Sequence, residues 1–353
     1  MSKILVTGAA GFIGSQLAYR LWKDSNEVVL IDNFSYGSED NLIFEDCDFR
    51  NIILKIDIRD RNAINALFES NKFDYVYHIA GITPLPDCQM NPAEAVEVNV
   101  MGTVNILEAG RKYGVTKIIF ASTSAVYENN TDFPSVEGHV VPPSLIYPNT
   151  KYTAERYCQA YTDVYGMNVT CLRFANVYGP HLDCLRTQPP VVGYLIREFY
   201  NDRPPVLHST GEQRRDFVYV EDLIDLAVRV QKGTGYDVVN VSTNQTYSIN
   251  ELTAVVAKLM GKEHIKPKYV SSDNYWKKYP DLYTGAYTIS EKALEGEVVK
   301  FTQLSNEHAK KEYGWEPKVD LETGIRNTID FSIKVLSKAI VNECFGFSSS
   351  AGI

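Results

Sequence analysis

The chain has 353 residues, 44% hydrophobic and 22% charged, which is enough apolar material for one large or two medium globular domains. A formal charge of -9 without a basic block argues against a nucleic-acid surface, though a few local Lys or Arg residues can still hold a phosphate. No apolar run approaches the roughly 20 residues of a membrane span, and the six cysteines and six histidines show neither C-x-x-C nor metal-ligand spacing. The expectation is a cytoplasmic protein with reduced thiols, no metal and no membrane contact. Met1-Ser2-Lys3 ahead of Ile4 to Val6 superficially resembles a secretory leader, but the glycines that follow fit a strand-turn-helix better.

In chain order, β-branched runs predict strands over 3–7, 27–31, 52–56, 74–79 and 117–122, with later ones at 168–173 and 237–241. Helix-length segments lie between them at 12–23, 60–70, 92–113 and 148–165. This alternation implies an α/β fold, a Rossmann-type doubly wound parallel sheet whose ligands sit at the C-terminal ends of the strands. After Tyr178 the pattern lapses, with Pro180, Pro189, Pro190, Pro204 and Pro205 crowded together. The division expected is 1–179 plus 216–242 for the dinucleotide-binding domain. A smaller mixed α/β substrate-binding region takes 180–215 plus 243–335, and 336–353 is a tail, frayed beyond Cys344.

Gly8-Ala9-Ala10-Gly11-Phe12-Ile13-Gly14 follows a strand and opens a helix. Its glycines allow a tight turn, close backbone approach to a pyrophosphate and close helix packing, while the helix N-terminus faces the phosphates. Asp32 ends the next strand, 18 residues past Gly14. A carboxylate there accepts from the adenosine ribose and repels a 2′-phosphate, which favours NAD. Asn33 stands where an Arg would suit NADP, and Ser35 and Gly37 of the same loop are counted with the cofactor residues. Asp57, beside Ile58, is open to two readings: contact with the adenine, or a cap on helix 60–70.

Tyr147 and Lys151 are four apart on a predicted helix and so share a face. A free phenol is a poor base at neutral pH. A Lys cation and the positive ring of NAD would lower its pKa and let it take a proton from a sugar hydroxyl. The chain repeats the spacing at Tyr19/Lys23 and Tyr113/Lys117, but only Tyr147 follows a strand ending in hydroxyls, Ser122-Thr123-Ser124. Thr123 is the chosen hydroxyl partner of the reacting oxygen, with Ser124 second.

These features, with His78-Ile79-Ala80-Gly81, Asn99-Val100-Met101-Gly102-Thr103, Arg173 to Pro180, Gln213 to Asp222 and Tyr313 to Pro317, resemble the extended short-chain dehydrogenase/reductase family over roughly 1–335. The resemblance implies that Ala80, Gly81 and Asn99 line the cofactor site. It also implies that Asn176 binds a nucleotide-sugar, that Arg215 holds its diphosphate, and that helices 92–113 and 148–165 pair in a homodimer. Dehydratases of the family carry Asp-Glu after the catalytic hydroxyl, and here Ser124 and Ala125 follow. The pattern therefore resembles the UDP-glucose 4-epimerase-like members. A 4-keto reductase, a 4,6-dehydratase and a non-catalytic NAD sensor are the alternatives. Two positions depart from the family pattern: Leu294 where a second diphosphate-binding Arg is usual, with Lys292 or Lys300 as substitutes, and Ser209 where a glycine is usual.

Overall fold

The computed structural model describes residues 1–344. Seven parallel strands form the central sheet in the order Tyr236–Val241, Val169–Phe174, Lys117–Thr123, Tyr75–His78, Lys3–Thr7, Glu27–Asp32 and Ile53–Lys55. Side chains alternate across a strand, so both faces of this sheet need cover. Ile4 and Val6 enter one apolar cluster with Leu17 and Leu21, while Leu5 enters the other with Phe68, Ile106 and Ala154. Strand order reverses on either side of Lys3–Thr7, which opens a crevice at the C-terminal ends of that strand and of Tyr75–His78. The sequence expectation of a doubly wound sheet holds.

Two helices near the crevice depart from simple periodicity. The segment expected as one helix over 92–113 runs as α-helix Pro92–Val96, π-helix Glu97–Gly102 and α-helix Thr103–Tyr113. Gly102 lies against Ile58; a Cβ there would stand 2.5 Å from its Cδ1. Helix Ile146–Tyr165 begins two residues earlier than expected, tolerates Pro148 in its first turn, and ends at Gly166 with φ 70°. Tyr147, Lys151, Glu155 and Cys158 lie on its buried face.

The second region holds two small sheets. Arg214–Tyr219 pairs in parallel with Asn176–Tyr178 and antiparallel with Thr246–Ser248. Val206–His208 pairs with Lys268–Val270. Helices Val191–Tyr200, Ile249–Met260 and Leu321–Cys344 enclose its core around Leu195, Ile196, Leu252 and Ile325. Two boundaries are corrected. Of the 216–242 segment only Tyr236–Val241 joins the main sheet. Residues 336–344 are the end of a helix rather than a tail, with Leu336 in the core and Lys338 paired with Asp40 at 2.7 Å. The rest of the expected tail, 345–353, lies outside the described residues. No helix among the described residues is long and apolar enough to cross a membrane.

Candidate active site

The glycine turn is built as its chemistry requires. Gly8 has φ 69°, and a Cβ on it would sit 2.8 Å from the Ala80 backbone of the neighbouring strand end. A Cβ on Gly14 would be 2.0 Å from the Gly8 carbonyl oxygen. On Gly11 it would meet only that same oxygen, at 3.2 Å, so this side of the turn stays open for a phosphate. Helix Phe12–Lys23 has Gly11 as its N-cap and no side-chain cap, which leaves first-turn N–H groups for an anion. Asp32 is 8% exposed; burial raises its pKa, while N–H groups of Phe34 and Ala10 favour the carboxylate at 2.7 and 2.9 Å. Gly37 packs over it, its would-be Cβ 2.7 Å from the Ala10 Cβ and 3.1 Å from Asp32 Oδ1. These residues fit a dinucleotide.

Asp57 takes neither a free position nor the capping one. Its carboxylate accepts from Asn33 Nδ2 at 2.9 Å and pairs with Arg59 at 2.7 Å. Burial works against its charge, but the Arg59 and Asn33 hydrogen bonds hold its pKa at about 2. The cap of helix Arg61–Ser70 is Asp60, which accepts from the N–H groups of Asn62 and Ala63. Asn33 Oδ1 accepts from the Ser35 N–H, so the loop after Asp32 is braced by the same pair of side chains. Ile58 is buried on Gly102.

The Ala80–Gly81 segment is held from beneath. Asn99 exchanges two hydrogen bonds of 2.9 Å with the Ile82 backbone and donates to Thr150 Oγ1 at 3.0 Å. A Cβ on Gly81 would lie 2.9 Å from both Asn99 Oδ1 and Lys151 Nζ, so bulk there would displace the ammonium. His78, quoted above only within a motif, has a defined role. Thr103 donates to the Asn99 carbonyl at 2.7 Å, so its oxygen accepts from His78 Nε2 at 3.1 Å. His78 Nδ1 then accepts from the Thr7 hydroxyl at 2.8 Å, and Thr7 Oγ1 accepts from the Ala80 N–H at 3.1 Å. Burial, with the Lys151 charge adding to it, lowers the His78 pKa to about 3, and the ring is neutral.

Tyr147 is 9% exposed and lines the main cleft beside Thr123. It sits in the first turn of its helix, where the dipole favours a phenolate. Burial nevertheless pushes its pKa up to about 12, and the Thr123 hydroxyl bonded to it works in the opposite direction. Of the two cations expected to lower it, Lys151 and the NAD ring, Lys151 does not outweigh burial in the protein by itself. The Lys151 ammonium donates to the Ala121 carbonyl at 3.0 Å, lies 4.9 Å from the Phe120 ring centroid, and has its pKa lowered to about 8 by burial. Thr123 Oγ1 also accepts from the Ala125 N–H at 3.1 Å, which leaves its proton for the phenol or a ligand. Ser124 faces a small neighbouring cavity with Lys300 instead of the main cleft. The two decoy pairs stand elsewhere: Tyr19 and Lys23 both bond Asp46, and Lys117 donates to the Gly233 carbonyl.

The cleft measures about 2560 Å³, well above the ~300–1,000 Å³ of a pocket for one small ligand. Phe12, Ile13, Asn33, Ser35 and Gly37 line one end, Tyr147 and Thr123 the middle, and Asn176 and Arg215 the other side. Asn176 donates to the Asp216 carbonyl at 3.1 Å. Arg215 donates to the Val298 carbonyl at 3.3 Å, which brings helix Glu291–Val299 beside it. The side chain of Leu294 lies outside the described residues. Lys292 is exposed, whereas Lys278 and Arg186, which sequence reasoning missed, line the cleft. Ser209, at the usual glycine position, takes φ 74°, a left-handed conformation that costs a non-glycine residue roughly 1–2 kcal/mol.

Beneath the cleft lies a second group that sequence reasoning missed. Ser122 donates to Glu155 at 2.5 Å, and Glu155 pairs with Arg173 through bonds of 2.9 and 2.6 Å. Arg173 also donates to the Tyr127 hydroxyl at 2.7 Å. The i, i+4 spacing of Tyr147, Lys151 and Glu155 was the available signal.

The chain is similar to several nucleotide-sugar epimerases along nearly its whole length. A UDP-glucose 4-epimerase of Mycolicibacterium smegmatis is 30% identical over 331 residues, covering 93% of this chain and 98% of that one. A UDP-glucuronate 4-epimerase of Thermodesulfobacterium geofontis is 28% identical over 340 residues, 94% and 96% of the two chains. The crystal structure of a UDP-glucose 4-epimerase with UDP-glucose from Thermotoga maritima superposes with a TM-score of 0.83 at 29% identity, over 95% of this chain and 99% of that one. The family model for NAD dependent epimerases and dehydratases matches residues 4–242, from the first strand to the last of the main sheet. The chain belongs to the NAD dependent epimerase/dehydratase family, and its cofactor is NAD.

Proposed function

We propose that the protein interconverts the C4 epimers of a UDP-sugar through a transient 4-keto sugar. The observation that carries this reading is that Tyr147, hydrogen-bonded to Thr123, lines one cleft with Phe12 and Ile13 of the glycine turn and with Arg215, while Lys151 is buried one turn further along the same helix. NAD bound at the glycine turn supplies a reversible hydride acceptor for C4. Arg215 holds the diphosphate as a charge-assisted donor, with Asn176 beside it. Thr123 positions the 4-hydroxyl, and Tyr147 takes its proton as C4 is oxidised. The positive charges of Lys151 and the cofactor ring offset the burial that holds the phenol protonated. After the keto sugar turns about its diphosphate linkage, Tyr147 returns the proton as C4 is reduced from the other face.

Ser124 and Ala125 provide no carboxylate next to Thr123 to expel water, which separates this site from a dehydratase. Proton NMR of UDP-glucose incubated with the protein is expected to show the anomeric signal of UDP-galactose. No change of any UDP-hexose or UDP-hexuronate under these conditions counts against the reading.

We further propose a cytoplasmic homodimer. The five described cysteines are free, four of them buried. Val96 and Met101 on one helical segment, and Tyr157, Val164 and Tyr165 on helix Ile146–Tyr165, are exposed apolar side chains. The two segments are joined by Tyr161 donating to Glu108 at 2.6 Å and by Arg111 over the Tyr165 ring. A second copy docking on this two-helix face would cover them. Sedimentation velocity is expected to give a dimer that Val164→Arg converts to monomer; a wild-type monomer at micromolar concentration would refute it.

A further inference from the structure

His181 joins three parts of the chain that are far apart in sequence. It follows the strand Asn176–Tyr178 and is 6% exposed, with φ 70°, a backbone conformation uncommon outside glycine. Its Nδ1 is 3.0 Å from the Ser15 hydroxyl, on the helix that the glycine turn opens. The imidazole also bonds the Asn41 backbone, and the Asn41 side chain donates to the Ala10 carbonyl of that turn at 2.9 Å. Burial lowers the pKa of the ring to about 4, so it is neutral and packs as an aromatic group. Phe44 stacks on it at 5.0 Å, and Phe331 of helix Leu321–Cys344 lies against it at 4.7 Å. Tyr19 extends the stack from Phe44, at 4.1 Å and nearly parallel.

The same elements wall the cofactor end of the cleft. Asp40, Asn41 and Ile43 of the segment after Asp32 line it, as do Phe331, Lys334 and Lys338 of helix Leu321–Cys344. Lys338 pairs with Asp40 at 2.7 Å, but both side chains are exposed, and such a pair adds little by itself. The His181 ring is the buried joint between helix and loop. All the contacts named here are between protein groups, so they favour closed walls whether or not a dinucleotide lies within. In the reaction proposed above NAD is regenerated in every cycle, and a slow exit of the cofactor does not limit turnover.

We propose that His181, through Phe331 and Asn41, holds helix Leu321–Cys344 against the loop after Asp32 and so gates the passage of NAD in both directions. His181 is a positioning residue, which sets cofactor exchange through the walls it joins. Loosening a joint of equal strength in the free and the loaded protein raises the open population of both. Entry and exit then accelerate together, and affinity is kept.

Phe331→Ala is the first test, since that side chain is only partly buried. Chase of radiolabelled NAD from the full chain by unlabelled NAD gives the exit rate, and quenching of protein fluorescence on mixing gives the entry rate. Both are expected to rise about tenfold, the equivalent of one aromatic pair at the upper end of its range, with the dissociation constant unchanged. His181→Asn, a residue that tolerates positive φ, should act in the same direction. The double variant should exchange NAD no faster than the faster single one, because both open one joint. Lys338→Glu leaves the buried contacts intact and sets like charges against Asp40; it should accelerate both rates about twofold. Unchanged rates, an exit that accelerates without the entry, or single effects that multiply in the double variant overturn the gate.

Discussion

Tyr147→Phe is expected to lower kcat for epimerisation by about 10²–10⁴-fold, the usual contribution of a positioned proton-transfer group. The ring belongs to the apolar cluster under the sheet and keeps its packing as Phe. The group lost is the hydroxyl that bonds Thr123 and faces the cleft. NAD affinity, followed by fluorescence titration, should therefore change little, and the urea midpoint should stay near the wild-type value. A variant within a few-fold of wild-type kcat would show that another group moves the proton. A variant that fails to bind NAD would show that the phenol is part of the cofactor site instead. Thr123→Val removes the hydroxyl on the other side of the same bond and should act in the same direction.

Arg173→Leu is the expected large loss of stability. The Arg173 and Glu155 side chains are 4% and 1% exposed, and their two-point pair lies in the centre of the protein. Without the guanidinium, Glu155 retains only its bond from Ser122 among the contacts described above. Breaking a buried pair by removing one partner costs roughly 3–5 kcal/mol, because the other charge is left without compensation. Urea unfolding reads this directly. Glu155→Leu combined with Arg173→Leu should recover a good part of it, since no charge then remains buried. A single substitution costing under about 1 kcal/mol would contradict the account. Activity should fall too, because Ser122 precedes Thr123 and Glu155 is one helical turn beyond Lys151.

The inner strands of the main sheet were legible as apolar runs buried on both faces, as at Ile4, Leu5 and Val6, whereas the edge strand Ile53–Lys55 is largely exposed. Strands of three residues such as Val206–His208 were not, since three positions carry no measurable period. The π-helical turn at Glu97–Gly102 sits against Ile58, some 40 residues away in sequence, and leaves no local signature. Asp57 was read as a possible cap because it precedes a helix, yet Asp60 lies at the actual boundary and Arg59 claims Asp57.

In the site, context separated Tyr147 from two identical spacings, and of the three tyrosines Tyr147 lines the cleft. The electrostatics were read less well. Sequence reasoning assigned the phenol's activation to Lys151 and the NAD ring together, and left out the burial that opposes it and the Thr123 bond that lowers the pKa. The partners of Arg173 and of His181 come from residues distant in sequence, where no motif links them.

Epimerisation of UDP-glucose carrying deuterium at C4 tests the central claim most directly. Oxidation and reduction at the same carbon, with Tyr147 handling only the hydroxyl proton, predict that UDP-galactose retains the label at C4 in ordinary water. Product that has lost the label to solvent, or that gains solvent deuterium at C5 when the reaction is run in heavy water, would contradict it.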